Sequence, residues 1–241
     1  MWIRLDRFLS EQNIAARSET RQLVRKGRIL INGELPSGSD TKLDPQVDVV
    51  WVDGQLIHYN RFLYIMLNKP LGVVSATEDT KHQTVLDLVP KELYRPGLFP
   101  AGRLDKDTEG FVLLTDDGPF AHSILSPRKH IPKTYIVCLA EALQPAVQAD
   151  FAKGVTLRDG TVCLPAELSI LPADGQYAYR AEVVLHEGKY HQIKRMFEAC
   201  GNRVVALKRT KMGGLNLDPA LASGECRLLA EEEIEQIRNT H

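Results

Sequence analysis

The sequence contains few cysteines, and their spacing excludes several classes of protein. Only 4 of its 241 residues are cysteine, namely Cys138, Cys163, Cys200 and Cys226, and no two of them form a Cys-x-x-Cys pair. A disulfide scaffold, a zinc site of the usual spacing and a dithiol redox motif are therefore not indicated. We expect four reduced and mostly buried thiols.

Long hydrophobic runs are also absent. No apolar stretch approaches the roughly 18 residues that a transmembrane helix needs, and Arg4 and Asp6 interrupt the N-terminal segment where a signal peptide would be apolar. The composition, 44% hydrophobic and 25% charged, is ordinary for a globular protein and does not suggest disorder. We therefore predict a cytoplasmic protein.

No metal or cofactor motif is recognisable. His186 and His191 flank Glu187, but the spacing differs from His-Glu-x-x-His and no third ligand is evident. We predict neither a metal ion nor a cofactor.

A strong net charge is absent too, because the formal charge is −1. The positive charge is nevertheless concentrated in two stretches, which favours a polyanion bound at defined places. The first stretch contains Arg17, Arg21, Arg25, Lys26 and Arg28 against one acid. The second contains Lys189, Lys194, Arg195, Arg203, Lys208, Arg209 and Lys211, opposed only by Glu187 and Glu198.

The segment Gly102-Arg-Leu-Asp-Lys-Asp-Thr-Glu-Gly110 places Asp105 in a glycine-bounded loop before the apolar run 111–114. An aspartate in such a loop is commonly a turn former. It can also be a functional carboxylate that a rigid scaffold presents.

The pattern predicts a mixed α+β protein with a small N-terminal domain, 1–54, a polar linker, 55–61, and a larger domain, 62–241. In the small domain we predict a helix that Ser18 caps and Gly27 ends, followed by strands at 28–31 and 47–52. In the larger domain, a mainly antiparallel sheet, we predict strands at 62–67, 73–75, 111–114, 135–139 and 179–185. Helices are expected at about 85–89, 145–153, 190–200 and 231–238.

Three ordered motifs resemble those of the RsuA/RluA group of pseudouridine synthases, which isomerise uridine in RNA. They are the Asp105 segment, Lys133-Thr-Tyr135, and Gly188-Lys-Tyr-His-Gln-Ile-Lys194. One departure is Phe111, where the family usually carries leucine. His-Gln at 191–192 is more similar to the small-subunit rRNA members than to the large-subunit ones.

The resemblance implies roles for individual residues. Asp105 corresponds to the catalytic aspartate, Tyr135 to a tyrosine that stacks on uracil, and Lys194 to the basic residue that pairs with the aspartate. Substrate contacts are expected from Arg103, Ile193 and Arg195. Whether Asp105 attacks C1′ or removes a proton from C2′ stays open.

Residues 2–53 resemble the S4 RNA-binding domain, through Arg4-Leu-Asp6, Leu9, Leu23-Val24, Gly27 and Ile31-Asn-Gly33. A solvated basic helix face is the alternative reading of this arginine-rich segment. RNA contacts are predicted from Arg17, Arg21, Arg25, Lys26, Arg28, Arg128 and Lys133.

These observations predict a pseudouridine synthase that acts as a monomer on ribosomal RNA, most naturally 16S rRNA, or on a small-subunit assembly intermediate. A 23S rRNA enzyme and a non-catalytic RNA-binding assembly factor remain alternatives. A phosphotransferase using Asp105 and Asp107 would place this pair after an apolar strand, but Gly102-Arg103 precede it. A glycoside hydrolase would need a surface that binds a sugar beside its two carboxylates, and the sequence shows none.

Overall fold

The computed structural model describes residues 1–126 and 131–238, which form two compact units. The first unit contains Met1–Leu63 and Pro90–Pro96, and the second contains Tyr64–Val89 and the described residues from Gly97 onward. The predicted division did not anticipate that Pro90–Pro96 packs with the first unit. Arg95, which is 5% exposed, explains this, because it donates hydrogen bonds to the carbonyls of Glu11, Asn60 and Arg61.

The first unit combines two helices with five short strands. Their bounds are β1 Ile3–Arg4, α1 Leu5–Glu11, α2 Arg17–Arg25, β2 Ile29–Ile31, β3 Lys42–Leu43, β4 Val50–Val52 and β5 Gln55–Ile57. β1 pairs with β3, and β2, β4 and β5 form an antiparallel sheet. The core buries Leu5, Phe8 and Leu9 of α1 against Ile29 and Val50.

The structure corrects two predictions in this unit. Ser18 does not cap α2. The capping residue is Ala16, two residues earlier, because the Glu19 carboxylate reaches back to accept the Ala16 N–H at 2.8 Å. Gln55–Ile57, predicted as part of a linker, is a strand that continues the hairpin from β4 through Asp53-Gly54. The end of α2 at Gly27 agrees with the prediction, since Gly27 has a φ of 67°.

The second unit is built on a nine-stranded sheet. Its strands are β6 Tyr64–Lys69, β7 Phe99–Pro100, β8 Glu109–Thr115, β9 Lys133–Leu139, β10 Glu167–Leu171, β11 Tyr179–Leu185, β12 Val204–Met212, β13 Leu215–Asn216 and β14 Cys226–Leu228. Its α-helices are α3 Gly118–Leu125, α4 Ala146–Lys153, α5 Gln192–Ala199 and α6 Glu231–Arg238. A 3₁₀ turn forms at Leu86–Leu88, where a helix was expected.

The order of the main sheet is β10-β11-β9-β12-β8-β6-β14, with β13 added to β12 and β7 to β8. Every pair is antiparallel except β8 with β12, which run parallel at the centre. The mixed, mainly antiparallel sheet confirms the predicted fold class. None of the helices among residues 1–126 and 131–238 has the length and apolar content to cross a membrane.

Both faces of the sheet are covered. In β8, Phe111 and Leu113 pack with Phe120 and Ile124 of α3 and with Ile237 of α6. The alternate residues of β8, which point to the other face, are also fully buried. β8 is therefore buried on both sides, and the Asp105 loop is attached to this buried strand.

α3 was not predicted, although Asp117 carries a signal for it. Its carboxylate accepts the Phe120 N–H at 3.0 Å, and Pro119 occupies the first turn of the helix. The predicted strand at Val73–Ser75 was wrong, since only Val74 forms an isolated bridge, with Thr84. Ser75 instead bonds to the loop that carries Asp105, as described below.

Gly110 brings the parallel strands β8 and β12 unusually close. Its φ is 102°, and a Cβ at this position would lie 2.2 Å from the carbonyl oxygen of Arg209. Only glycine fits both the dihedral angle and this contact. The loop before β8 is thereby fixed against the centre of the sheet.

We predict that Gly110→Ala destabilises the protein by about 3 kcal/mol or more, because the new methyl group meets backbone that cannot move aside. Denaturant unfolding measures the loss. Gly118→Ala is the matched control, since a Cβ there meets nothing within 4 Å and its φ is not positive. Equal stabilities of the two variants would contradict the close approach.

Candidate active site

Asp105 lies in the loop between β7 and β8, with 30% of its side chain exposed. Its Oδ2 is 3.6 Å from Nζ of Lys194, and its Oδ1 is 3.6 Å from Nε2 of His191. Both partners come from the start of α5, some 90 residues later in the chain. The fold therefore places a cation and an imidazole beside one carboxylate.

Lys194 is shared between two carboxylates. Its ammonium forms a short hydrogen bond with Oδ1 of Asp107 and approaches Asp105 at the longer distance. The hydrogen bond from Lys194 lowers the pKa of Asp107 below its usual value, and burial opposes this only in part. Because the side chain of Asp107 is 71% exposed, this pair contributes little to stability. It does fix the direction of the lysine.

The Asp105 loop is held from below by the residues that follow β6. Nζ of Lys69 donates to the carbonyls of Thr108 at 2.8 Å and Pro70 at 3.0 Å. The Gly72 N–H donates to the Lys106 carbonyl at 2.9 Å. Oγ of Ser75 donates to the Leu104 carbonyl and accepts the Leu104 N–H. Both sides of Asp105 are thus attached to one neighbouring segment.

Lys69 is a buried ammonium group with no solvent exposure. Burial lowers its pKa to about 8, and the nearby carboxylates of Asp107, Glu109 and Asp105 oppose that change. The group is therefore still mostly protonated at neutral pH. It adds a positive charge beneath the loop as well as hydrogen bonds.

A small cavity of about 90 Å³ opens beside Asp105. Its lining comes from the Asp105 loop, β9, the end of β11, the segment before α5, α5 itself and β12. The cavity is partly open to solvent.

Several predicted residues meet at this cavity. Arg103, Asp105, Tyr135, Ile193 and Lys194 all line it. Tyr135 is 8% exposed on β9, and Ile193 is buried in the first turn of α5. Arg103 is exposed and does not pair with Asp107, since Asp107 takes Lys194 instead.

The segment 187–192 is fixed by its own hydrogen bonds. Oε1 of Glu187 accepts from the Leu164 N–H and from Gln192, and Oε2 pairs with Lys189. Burial acts to raise the pKa of Glu187, but the hydrogen bonds from Lys189, Leu164 and Gln192 outweigh it and hold the pKa below its usual value. Glu187 therefore organises the loop as an anion.

Sequence reasoning missed three residues of the site. His191 was considered as a metal ligand and as part of a family motif, but not as a neighbour of Asp105. Asp107 was considered as the second acid of a phosphotransferase pair, but not as a partner of Lys194. Lys69 was not singled out. The run Asn68-Lys-Pro70 after a buried strand is a weak signal for it, because nothing local shows which carbonyls the ammonium meets.

Other predicted residues do not line the cavity. Arg195 pairs with Asp159. Nζ of Lys133 donates to the Ile131 carbonyl at 3.0 Å, and burial lowers the pKa of Lys133 to about 8. Arg128 lies outside the described residues.

The second basic stretch is not one surface. Arg209 is 2% exposed, and its Nε donates to the Phe111 carbonyl at 2.7 Å. Lys189, Lys194 and Arg195 are each engaged by an acid. Arg203 and Lys208 stay exposed, so only part of the positive charge of this stretch lies at the surface outside ion pairs.

The first basic stretch stays at the surface of the first unit. Arg17 and Arg21 line a cleft of about 460 Å³ together with Arg4 and Arg7, which sequence reasoning had not included. Arg25 joins Arg4 and Arg21 in an adjoining cleft of about 320 Å³. The exposed residue Lys26 follows α2.

Three acids reduce the free charge of this surface. Glu11 pairs with Arg7 at 2.7 Å. Asp6 pairs with Arg4 at 2.8 Å, and the hydrogen bond from Arg4 lowers the pKa of Asp6 below its usual value. Arg28 is held by a bidentate contact with Asp53. Arg17, Arg21 and Arg25 thus carry most of the available positive charge.

Within residues 1–126 and 131–238, no group of three or more His, Cys, Asp or Glu side chains could hold a metal ion. All four cysteines are free.

We predict that Lys69→Met lowers the free energy of unfolding at pH 7 by about 1–3 kcal/mol, because buried carbonyls lose their donor. Amide hydrogen exchange at 104–108 should accelerate. Lys106→Met is the matched control, since this exposed lysine lies in the same loop. Loop amides that exchange as slowly as in the wild type would rule out the anchoring role.

The wild type and Lys69→Met also test the lowered pKa of Lys69. Its folded pKa of about 8 lies below the ordinary 10.5, so between these values the unfolded chain binds more protons. Wild-type stability should therefore rise with pH over this range relative to Lys69→Met. A flat difference between the two proteins would contradict the lowered pKa.

Comparison with known proteins places this chain in a family. Residues 63–199 match the family model described as RNA pseudouridylate synthase, and residues 3–35 match the S4 domain. The uncharacterized RNA pseudouridine synthase YtzG of Bacillus subtilis (strain 168) is 46% identical over 232 residues, covering 96% of this chain and 97% of that protein.

Two further relatives agree. Ribosomal small subunit pseudouridine synthase A of Yersinia pestis is 41% identical over 241 residues, covering 99% of this chain and 100% of that protein. A crystal structure of a pseudouridylate synthase has a TM-score of 0.66 and 38% identity, covering 98% of this chain and 99% of that one. The predicted resemblance and enzyme class are confirmed: the chain belongs to the RNA pseudouridylate synthase family and carries an S4 domain ahead of the synthase domain.

Proposed function

We propose that the chain converts one uridine of 16S rRNA to pseudouridine and that Asp105 is the carboxylate that acts on the ribose. The observation that carries this is the cavity, which gathers Arg103, Asp105, Tyr135, Ile193 and Lys194 from three separate motifs. These are the side chains that isomerisation needs: an acid, a cation to orient it, and flat or apolar surfaces for the base.

The reaction requires no co-reactant. The N1–C1′ bond of uridine breaks, the uracil turns, C5 bonds to C1′, the proton of C5 is lost, and N1 ends protonated. Asp105 either attacks C1′ and forms a temporary ester or takes a proton from C2′, and both routes use the ionised carboxylate.

Lys194 and His191 orient that carboxylate. They approach different oxygens of Asp105, each at 3.6 Å, so the group is held from two sides. Because Lys194 is also tied to Asp107, its ammonium is positioned before substrate arrives. Preorganised charge of this kind avoids a reorganisation cost during the reaction.

Tyr135 and Ile193 provide the surfaces for uracil. A base stacked on an aromatic ring gains about 1–3 kcal/mol, which is comparable with the few kcal/mol that flipping a nucleotide costs. Arg103 is exposed at the rim, where it can hold a phosphate or take the place that the flipped base leaves. Arg195 can contact substrate only by leaving Asp159.

We further propose that the module 1–54 binds RNA and that 62–241 carries the chemistry. The arginine-lined clefts of the first unit support the first part. We also propose that the chain acts as a monomer.

The proposal of 16S rather than 23S rRNA rests on the names of similar proteins. Several nearly full-length relatives at about 40% identity are ribosomal small subunit pseudouridine synthase A. Free 16S rRNA and a small-subunit assembly particle both contain this RNA. A 23S rRNA target is the second candidate.

We predict that cells lacking this protein lose one pseudouridine in 16S rRNA and none in 23S rRNA. Chemical sequencing for pseudouridine with and without the protein measures this, and return of the wild-type chain should restore the site. Loss of a 23S site instead would transfer the proposal to the large subunit. No lost site would exclude both rRNAs.

We predict that Asp105→Asn lowers pseudouridine formation at least about 100-fold, because the reaction loses its ionised carboxylate. RNA binding should be retained. Asp107→Asn is the matched control, since it makes the same change two residues away on the other partner of Lys194. The activity of Asp107→Asn should fall much less. Equal losses in the two variants would mean that the reaction needs negative charge in the loop and not the Asp105 carboxylate itself.

A further inference from the structure

We infer that the exposed ring of Tyr190 is a stacking site for an unpaired base beside the target uridine. This inference rests on the proposed function, because it needs RNA at the Asp105 cavity. It adds a second base subsite to that of the flipped uridine.

The first argument is the exposure of Tyr190. Its residue is 74% exposed, whereas the next most exposed of the seven tyrosines, Tyr94 and Tyr179, reach 43% and 42%. A large ring so far from the core contributes little to folding. Exposed aromatic rings in a nucleic-acid enzyme are natural platforms for bases.

The second argument is that this ring is held in place. It stacks on the imidazole of His191, with ring centroids 3.8 Å apart and planes 19° from parallel. One face of Tyr190 is thereby covered by a ring, and the high exposure leaves the remainder of its surface to solvent. A base stacking there would extend an existing pair of rings.

His191 in turn is fixed relative to the reacting carboxylate. It is the residue that precedes α5, with φ 48° and ψ 35°, a left-handed conformation that non-glycine residues adopt infrequently. The Glu187, Lys189 and Gln192 hydrogen bonds around it hold this backbone. Nε2 of His191 is 3.6 Å from Asp105. The His191 imidazole therefore lies between Asp105 and the Tyr190 ring.

The third argument is the charge of the surroundings. Arg103, Lys189 and Lys194 line the adjoining cavity, and the acids Glu187 and Asp107 are each paired with one of these lysines. Both carboxylates that line the cavity, Asp105 and Glu187, therefore lie beside a positively charged side chain, which reduces their repulsion of a phosphate backbone. Aromatic rings interleaved with positive charge are the usual pattern for binding unpaired nucleotides.

The occupant is a neighbouring base, and not the target uracil. Tyr135 already lines the cavity, whereas Tyr190 does not. Extrusion of one nucleotide exposes a face of each adjacent base, which then loses its stacking partner. An aromatic ring at the rim replaces that partner.

The test uses a short RNA that contains the mapped uridine, and two copies of it with an abasic nucleotide on the 5′ or the 3′ side. Binding is measured in the Asp105→Asn background, so that the RNA is not converted, and isomerisation is measured with Asp105 present. Tyr190→Ala is compared with Tyr190→Phe, which keeps the ring, and with Tyr179→Ala, an exposed tyrosine of β11 that does not line the cavity.

We expect Tyr190→Ala to weaken binding of the intact RNA roughly 5- to 100-fold and to raise KM with little change in kcat. Tyr190→Phe and Tyr179→Ala should bind as the wild type does. On one of the two abasic RNAs, the loss from Tyr190→Ala should disappear, because the contact is already absent.

Two results would overturn the inference. One is unchanged binding of intact RNA by Tyr190→Ala, and the other is an equal loss on all three RNAs. A fall in kcat alone would place the ring on the target uracil and would also reject the neighbouring base. Failure of the proposed function is distinguishable, since the protein with an unaltered Tyr190 would then form no pseudouridine in the intact RNA.

Discussion

A buried ammonium group supports the geometry of the site. Lys69 is attached to the stable strand β6, and its hydrogen bonds end on carbonyls of the Asp105 loop. A buried ammonium without hydrogen-bond acceptors would lower the stability of the fold, and so would buried carbonyls without a donor. The Lys69 ammonium and the loop carbonyls therefore stabilise each other. Gly110 completes this arrangement by letting β8 approach β12.

The sequence allowed prediction of the chemistry better than of the support beneath it. Asp105, Tyr135 and Lys194 were identified because they occur in short motifs whose order resembles a family, and the cavity brings them together. Their roles stay predictions. Lys69 and His191 were missed, because their partners are far away in the chain and no local pattern reveals which carbonyl or carboxylate they meet.

Charge counts along the sequence misled in the second basic stretch for a related reason. Arg209 alternates with its neighbours on a central strand, so its side chain points into the protein while Lys208 faces outward. Periodicity identified the strands, but only the sheet order shows that β12 is central and covered. Similarly, the start of α2 depended on whether Glu19 or Ser18 would satisfy the first free amide, and both choices fit the sequence.

The assembly of the cavity from distant parts of the chain has a consequence for folding. Arg103 and Leu207, which both line it, are 104 residues apart in the sequence. Contacts between such distant residues form only after the entropy of closing a long loop has been offset. The site therefore exists only in the assembled sheet, and a fragment of the chain that lacks α5 and β12 lacks part of the lining.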